Sequence, residues 1–319
     1  MQIVLTGGAG FIGSHVLERL LALEHRVVVM DDFNTYYDPQ FKRRNIAQAL
    51  KNPAVQLAEG DVSNLAFVKD VIGGTRPDMI IHLAARAGVR PSVKDPFLYQ
   101  RVNVEGTLNI LESARMAGVR KITFASTSSV YGLNTKVPFS ETDPIFHTIS
   151  PYAATKLAGE ALCRAYRHLH GMDIVALRFF SVYGPRGRPD MAIYHFTERI
   201  LRNLPIPVYG DGSAERDYTY VDDIVQGVVA TTRREFGFEI INLGESQTTS
   251  LSDVIALIER SLGKKAKIDR QPEQPGDVPR TFADISKAQR LLDYQPRTKV
   301  GVGIPKFVTW YQSERANRS

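Results

Sequence analysis

Tyr152 and Lys156 stand four residues apart in Ser150-Pro151-Tyr152-Ala153-Ala154-Thr155-Lys156, at the start of a helical pattern, and so share one helical face. An ammonium beside a phenol favours the phenolate. A group with an ordinary pKa of ~10 then becomes a proton acceptor nearer neutrality. Thr127 adds a hydroxyl just past an apolar, strand-like run at 121–125, where open α/β sheets collect ligand contacts. That hydroxyl can orient an alcohol for removal of its proton. A Tyr-x-x-x-Lys spacing alone recurs on many helices without a role, so the reading depends on all three residues meeting.

The ligand is indicated at the other end of the chain. Thr6-Gly7-Gly8-Ala9-Gly10-Phe11-Ile12-Gly13 directly follows the first strand-like run and opens a helix over roughly 12–23. The glycines are spaced Gly-x-x-Gly-x-x-Gly. They permit a tight turn, let the backbone approach a pyrophosphate and let helix and strand pack closely. The helix N-terminus at Phe11 and Ile12 faces the anion. The second run ends at Asp31, 18 residues beyond Gly13; a carboxylate there accepts both adenosine ribose hydroxyls and repels a 2′-phosphate, which favours NAD over NADP. The positive nicotinamide would add to the pull on Tyr152, and Lys156 can hold its ribose. Asp61-Val62 either meet the adenine edge or begin the next helix with a cap. Leu83-Ala84-Ala85 ends the fourth run in small residues, suited to a backbone passing close to the cofactor or to tight packing alone.

These residues need a frame. Strand-like runs at 2–6, 26–30, 54–58, 78–83, 121–125 and 173–178 alternate with amphipathic stretches. That rhythm predicts an α/β fold, a doubly wound parallel sheet of Rossmann type. Two long helices are predicted at 96–117, opened by Asp95-Pro96, and at 152–170, after Ser150-Pro151. They are candidates for a four-helix bundle across a two-fold axis, hence a homodimer. Beyond about 180 the pattern loosens into Gly/Pro-punctuated loops with helices near 190–203, 221–234, 251–262 and 301–315. The expected organisation is an NAD-binding domain at 1–180 and a smaller α/β substrate-binding lobe at 181–319, with some chain crossing back to the sheet.

The 319 residues suffice for both parts, and 43% hydrophobic with 23% charged residues is ordinary for a globular enzyme. Met1 leads at once into a strand and no apolar run approaches membrane-spanning length, so a cytoplasmic protein with no membrane partner is expected. Cys163 is the single cysteine, which excludes an internal disulfide and suggests a buried helix position. The formal charge is +6 with a pI near 9.3. Its basic residues are scattered, so no nucleic-acid partner is expected. Lys42-Arg43-Arg44 and Lys264-Lys265 read as solvated faces. Part of the positive excess would serve an anionic small substrate. The seven histidines show no metal-site spacing, and no metal is expected.

The glycine segment, His82-Leu83-Ala84-Ala85, Thr127-Ser128-Ser129-Val130-Tyr131-Gly132 and Tyr-x-x-x-Lys together resemble the extended short-chain dehydrogenase/reductase family of NAD-dependent epimerases and dehydratases. The resemblance covers essentially the whole chain. Within that family, Asp32-Phe33-Asn34-Thr35-Tyr36-Tyr37-Asp38-Pro39, Ala87-Gly88-Val89-Arg90 and Gly187-Arg188-Pro189-Asp190-Met191-Ala192 are similar to the UDP-glucuronate 4-epimerases. What this implies is an isomerase that keeps NAD bound, oxidises the sugar at C4, lets the 4-keto sugar turn over and returns hydride to the opposite face. The implied base is Tyr152, its activator Lys156 and its hydroxyl partner Thr127, with Asp32 and Asn34 joining Asp31 at the cofactor.

The resemblance also distributes the substrate contacts. Arg188 matches the arginine that meets the hexuronate carboxylate, and a guanidinium fork suits that group. Arg90 is a second candidate and Ser128 a supporting hydroxyl. Arg216, in Asp211-Gly212-Ser213-Ala214-Glu215-Arg216-Asp217-Tyr218, and Arg280 resemble diphosphate contacts, and Asp277 a uridine-side residue. Related dehydratases and decarboxylases carry acidic residues near the catalytic threonine, where this chain has Ser128-Ser129. Ser181 replaces an asparagine that simple UDP-hexose epimerases often present. The first departure leaves no carboxylate to drive elimination at C5, and the second favours an acidic sugar. The alternatives are a UDP-glucose or UDP-N-acetylglucosamine 4-epimerase, a UDP-glucuronate decarboxylase, or a non-enzymatic NAD-sensing regulator, which the intact Thr127/Tyr152/Lys156 set opposes.

Overall fold

In the computed structural model, which describes residues 1–272 and 278–316, the six apolar runs are strands. They are β1 (Gln2–Thr6), β2 (Arg26–Asp31), β3 (Val55–Glu59), β4 (Met79–His82), β5 (Lys121–Thr127) and β6 (Asp173–Phe179). With Phe238–Leu243 they form a seven-stranded sheet in the order Phe238–Leu243, β6, β5, β4, β1, β2, β3. Every pairing is parallel. Parallel strands covered on both faces read as continuous apolar runs, and β4 and β6 are buried along their whole length. Successive side chains of β1 serve opposite faces: Ile3 and Leu5 enter one core cluster and Val4 the other. The strand order reverses between β1 and β4, so a crevice opens at their carboxyl ends. The predicted doubly wound sheet is present, and Phe238–Leu243 is the segment that crosses back to it.

The helices of the first part are α1 (Phe11–Ala22), α2 (Pro39–Ala47), α3 (Leu65–Thr75), α4 (Val89–Lys94), α5 (Pro96–Tyr99), α6 (Gly106–Ala117) and α7 (Pro151–His170). The helix read from sequence at 96–117 is interrupted: Gln100–Glu105 is π-helical between α5 and α6. Such a widened turn turns a side chain out of the regular stripe. Here Asn103 accepts from the Arg86 amide at 2.8 Å and donates to the Arg86 carbonyl and to Thr155 Oγ1, both at 3.0 Å. The loop after β4 is thereby tied to α7. Ser150 caps α7 by accepting from the Ala153 amide at 3.1 Å, Pro151 fits its first turn, and Gly171 ends it at φ +64°.

The later residues add α8 (Ala192–Leu201), α9 (Val221–Ala230), α10 (Leu251–Leu262), α11 (Ser286–Leu292) and α12 (Val300–Ala316). Asp217 organises them: its Oδ1 accepts from the Glu245 amide and Thr219 Oγ1, its Oδ2 from the Ser246 and Ala283 amides. Burial raises this carboxyl to about 6 against those four donors. Cys163 is buried on α7. Among the described residues no helix is long and apolar enough to cross a membrane.

Candidate active site

The crevice between β1 and β4 continues into a cleft of about 350 Å³ that reaches α7 and the loop before α8, a size in the usual range for small-ligand sites. Its first wall is the glycine loop. Gly7 has φ +69°, and a Cβ there would stand 2.7 Å from the Ala84 amide nitrogen. A Cβ on Gly13 would come within 2.1 Å of the Gly7 carbonyl oxygen. The turn and the start of α1 therefore exist only without side chains at these positions. Gly7, Gly10, Phe11, Ile12 and Gly13 line the cleft, as do Leu83, Ala84 and Ala85 opposite them. Thr6 Oγ1 accepts from the Ala84 amide at 3.1 Å and lies 2.7 Å from His82 Nδ1. Burial and the nearby Lys156 charge depress His82 to about 3, so it is a neutral bridge.

Asp31 ends β2 with a buried carboxylate. It accepts from the Ala9 amide at 3.1 Å, the Phe33 amide at 3.0 Å and Lys42 Nζ at 3.1 Å. A carboxylate offers about four acceptor positions, so the two ribose hydroxyls expected on Asp31 alone would have to share it with Lys42. This corrects the reading of Lys42 as part of a solvated face, while Arg43 and Arg44 are exposed as expected. Lys42 is buried, lines the cleft and also lies 3.5 Å from Asp32. The available signal was its place four residues before Ile46, on the buried side of α2. Asp32 Oδ1 accepts from the Asn34 amide at 3.1 Å and from its Nδ2 at 2.5 Å, and both residues line the cleft. Asp61 and Val62 line it too. Asp61 does not cap the next helix: it accepts from the Ser63 amide, while Asn64 caps α3.

Arg86 was not singled out in the sequence. It lines the cleft, its Nη2 lies 3.7 Å from Asp32, and its buried Nε has no hydrogen-bond partner among the described residues. A spare guanidinium donor beside a side-chain-free turn at a helix N-terminus is the set of groups a dinucleotide pyrophosphate requires. The residues present therefore fit NAD.

Thr127, Tyr152 and Lys156 converge at the other end of the cleft. Thr127 is the last residue of β5 rather than a residue beyond it. Its Oγ1 accepts from the Ser129 amide at 3.1 Å and donates to Ser129 Oγ at 3.2 Å, and it lies close enough to Tyr152 to favour the phenolate. Burial raises the Tyr152 phenol, opposed by Thr127 and by the positive charge of Arg188. Lys156 is 3% exposed and donates to the Ala125 carbonyl at 2.7 Å. Burial lowers it to about 8. The arrangement sets a phenol near a hydroxyl and within reach of the Arg188 charge, with Lys156 on the same helical face but directed at the Ala125 carbonyl; a phenol so placed can exchange a proton with an alcohol.

Arg188 and Ser181 line the same cleft. Arg188 Nε and Nη2 donate to Asp190 Oδ1 and Oδ2, each at 2.9 Å, and Tyr36 donates to Asp190 Oδ2 at 3.1 Å. The guanidinium also lies 5.7 Å from the Tyr36 ring centre. Burial opposes its charge, but Asp190 outweighs burial and raises the Arg188 pKa. Asp190 takes one edge of the fork, which leaves Nη1 and one Nη2 hydrogen directed elsewhere. Tyr36 and Asp190 both lie in segments quoted above, yet nothing in their spacing told that they would meet across 154 residues.

Other predicted residues stand apart from this cleft. Ser128 occupies the 3-10 turn Ser128–Tyr131 and is not among the lining residues. Arg90 stacks 4.5 Å from the Tyr209 ring centre. Arg216 and Arg280 lie together on the lobe: Arg280 Nε is 2.8 Å from Glu215 Oε2, and Arg216 Nη1 donates to the Glu215 carbonyl at 2.9 Å. Asp277 lies outside the described residues.

The family model described as GDP-mannose 4,6 dehydratase matches residues 4–307. A UDP-glucuronate 4-epimerase from Thermodesulfobacterium geofontis is 41% identical over 308 residues, covering 96% of this chain and 95% of that protein. A UDP-glucuronate 4-epimerase from Arabidopsis thaliana is 41% identical over 332 residues, covering 98% of this chain and 76% of its own length. Among solved structures, the UDP-glucuronic acid 4-epimerase of Bacillus cereus in complex with UDP-glucuronic acid and NAD superposes with a TM-score of 0.93 at 36% identity, covering 98% of this chain and 100% of that one.

Proposed function

The chain belongs to the extended short-chain dehydrogenase/reductase family of NAD-dependent epimerases and dehydratases, and from that premise we propose that it interconverts UDP-glucuronate and UDP-galacturonate. The observation that carries this reading is the meeting, in one cleft, of the glycine loop, the Thr127/Tyr152/Lys156 set and the Arg188 guanidinium. NAD, when bound, supplies the acceptor and later the donor of a hydride at C4 of the sugar. Tyr152 removes the proton of the C4 hydroxyl and afterwards returns one, Thr127 orients that hydroxyl, and the Lys156 ammonium favours the phenolate. Asp31, Asp32, Asn34, Lys42 and Arg86 hold the adenosine and pyrophosphate end.

Oxidation at C4 leaves a carbonyl β to the uronate carboxylate, an arrangement prone to lose CO2. The free edge of Arg188, held in place by Asp190 and Tyr36, grips that carboxylate and keeps the C5–carboxylate bond out of line with the carbonyl. Among the described residues, the carboxylates lining the cleft are Asp31, Asp32 and Asp61, all at the adenosine end. Among the described residues no lining carboxylate stands next to Thr127 to drive elimination, which supports epimerisation over dehydration. Arg216 and Arg280 are assigned to the diphosphate, while Arg90 and Ser128, outside the lining of the cleft, are given no place at the sugar. A homodimer through α5–α6 and α7 is part of the same reading, supported by Phe97 at 82% and Leu169 at 67% exposure. The test is incubation of the purified protein with a panel of UDP-sugars and separation of the epimers. Formation of UDP-galacturonate from UDP-glucuronate is expected. Turnover of neutral UDP-sugars alone would refute the uronate assignment.

A further inference from the structure

Behind the catalytic helix lies a buried ionic layer that the mechanism above does not use. Glu160 follows Lys156 by four residues and Tyr152 by eight on α7, so it extends the same helical face away from the cleft. It is 3% exposed. Its Oε1 accepts from Ser126 Oγ at 2.5 Å and Arg178 Nε at 2.9 Å, and its Oε2 accepts from Arg178 Nη2 at 2.7 Å. Ser126 immediately precedes Thr127. It is also the register partner of Arg178 on the neighbouring strand, and Arg178 in turn pairs with Asn242. A polar row thus crosses three strands at the level of the catalytic threonine. Arg178 lies 4.8 Å from the Tyr131 ring centre, and Tyr131 donates to Asn242 Oδ1 at 2.7 Å. Tyr131 closes the 3-10 turn that carries Ser128 and Ser129. The row therefore touches every element that carries the proton-transfer groups: α7 through Glu160, β5 through Ser126 and the turn through Tyr131.

A buried ion pair is weak evidence for stability, because well-packed apolar groups of the same volume often serve as well. What directional, charge-assisted hydrogen bonds add is register. Apolar packing at this level would hold the spacing between α7 and the sheet, yet it would tolerate a small slide or tilt. We propose that Glu160, with Ser126 and Arg178, is a positioning device that sets Tyr152 against Thr127 for the epimerase reaction, and this rests on the reading given above. Glu160 lies eight residues from Tyr152, or ~12 Å along the helix axis, so a pivot of ~5° at Glu160 moves the phenol by ~1 Å. Displacements of that size in a reacting geometry cost up to ~100-fold in rate.

Ser126→Ala is the decisive variant, because it removes one hydrogen bond to Glu160 and leaves the pair with Arg178 intact. The expected result, for protein loaded with NAD to the wild-type level, is a roughly tenfold loss of kcat with KM within about twofold and a melting temperature lowered by only a few degrees. Glu160→Gln should lose more kcat, again with little change in KM. A group that merely stabilised the fold would lower the melting temperature and leave kcat per folded molecule unchanged. Wild-type kcat in folded Ser126→Ala would overturn the proposal. A crystal structure of Ser126→Ala decides it independently of substrate: Tyr152 should be displaced from Thr127 by more than ~0.5 Å, a shift sufficient to spoil a preorganised site, and an unmoved phenol would overturn the proposal. Absence of wild-type turnover on every UDP-sugar would instead sink the epimerase reading, leaving the crystallographic comparison to judge the positioning role.

Discussion

Replacing Arg188 by alanine removes the cation that the proposed mechanism sets against the uronate carboxylate, and the structure specifies what remains. Asp190, now bound through both oxygens at 2.9 Å, would lose its partner while still accepting from Tyr36. Its carboxyl is held below the ordinary range because the Arg188 hydrogen bonds outweigh its burial. In Arg188→Ala burial would raise it, but the side chain is 39% exposed, and the fraction that stays ionised would repel an incoming carboxylate. Charge-assisted hydrogen bonds contribute ~1.5–3 kcal/mol each and are not additive, so losing the free edge of the fork should cost about 3 kcal/mol, or ~100-fold in uronate affinity. UDP-glucose presents no charge there, and its affinity should change by no more than about threefold, the range of an altered neutral contact. The double variant Arg188→Ala/Asp190→Asn should recover part of the uronate affinity, because it removes the repulsion without restoring the grip. Calorimetric titration with both nucleotide sugars measures these terms, and mass spectrometry of the products tests for UDP-pentose formed by decarboxylation. Equal losses for the two sugars would refute Arg188 as the group that selects the carboxylate.

Tyr152→Phe should keep NAD and UDP-sugar binding, measured by titration, yet lose ~10²–10⁴-fold in kcat, since only the proton-transfer group is removed. Asp31→Ala should weaken NAD by about tenfold through loss of a charge-assisted acceptor. The same change leaves Lys42, which lies 3.1 Å from Asp31 and 3.5 Å from Asp32, with Asp32 as its remaining carboxylate and better able to pair with a 2′-phosphate, so NADP binding should improve; NADP binding as tight as NAD in the wild type would remove the basis of this argument. Lys156 sits at about 8 instead of 10.5 because of burial. Between those values the unfolded chain keeps a proton that the folded chain has released, so this group makes the fold more stable as pH rises through the window. Activity should move the opposite way, falling above about pH 8 as the ammonium is lost, and Lys156→Met should flatten the stability rise in parallel melts. Phe97→Glu places a charge at an 82% exposed aromatic on the predicted subunit face; sedimentation should report monomers for the variant and dimers for the wild type.

Much of the fold was legible because its code is local. The alternation of apolar runs with amphipathic stretches follows from the periods of strand and helix, and six strands of the sheet lie within two residues of where those periods place them. The glycine loop is legible for the same reason: steric demands at Gly7 and Gly13 act over a few residues of backbone. The four-residue spacing of Tyr152 and Lys156 is a property of one helix. Phe238–Leu243 was not legible as a sheet strand, because its partner in the register is β6, more than sixty positions earlier, and no local pattern encodes that return.

What only the tertiary structure decided is how charges pair once the elements meet. A lysine in a basic triplet reads as solvated, since Lys, Arg and Asp usually are; Lys42 is instead drawn inward because α2 brings it to the end of β2, where Asp31 and Asp32 compensate its burial. Arg188 was identified as a cation for the substrate, but its own partners, Asp190 and Tyr36, depend on rotamers and on a loop from the far side of the cleft. Glu160 and Arg178 look unremarkable in a helix and a strand, and their roles emerge only from the register that sets Ser126 beside Arg178. Composition and periodicity constrain which face of an element is apolar. They carry no information on which of two distant polar groups will share a buried position, because that is settled by the packing of the whole chain.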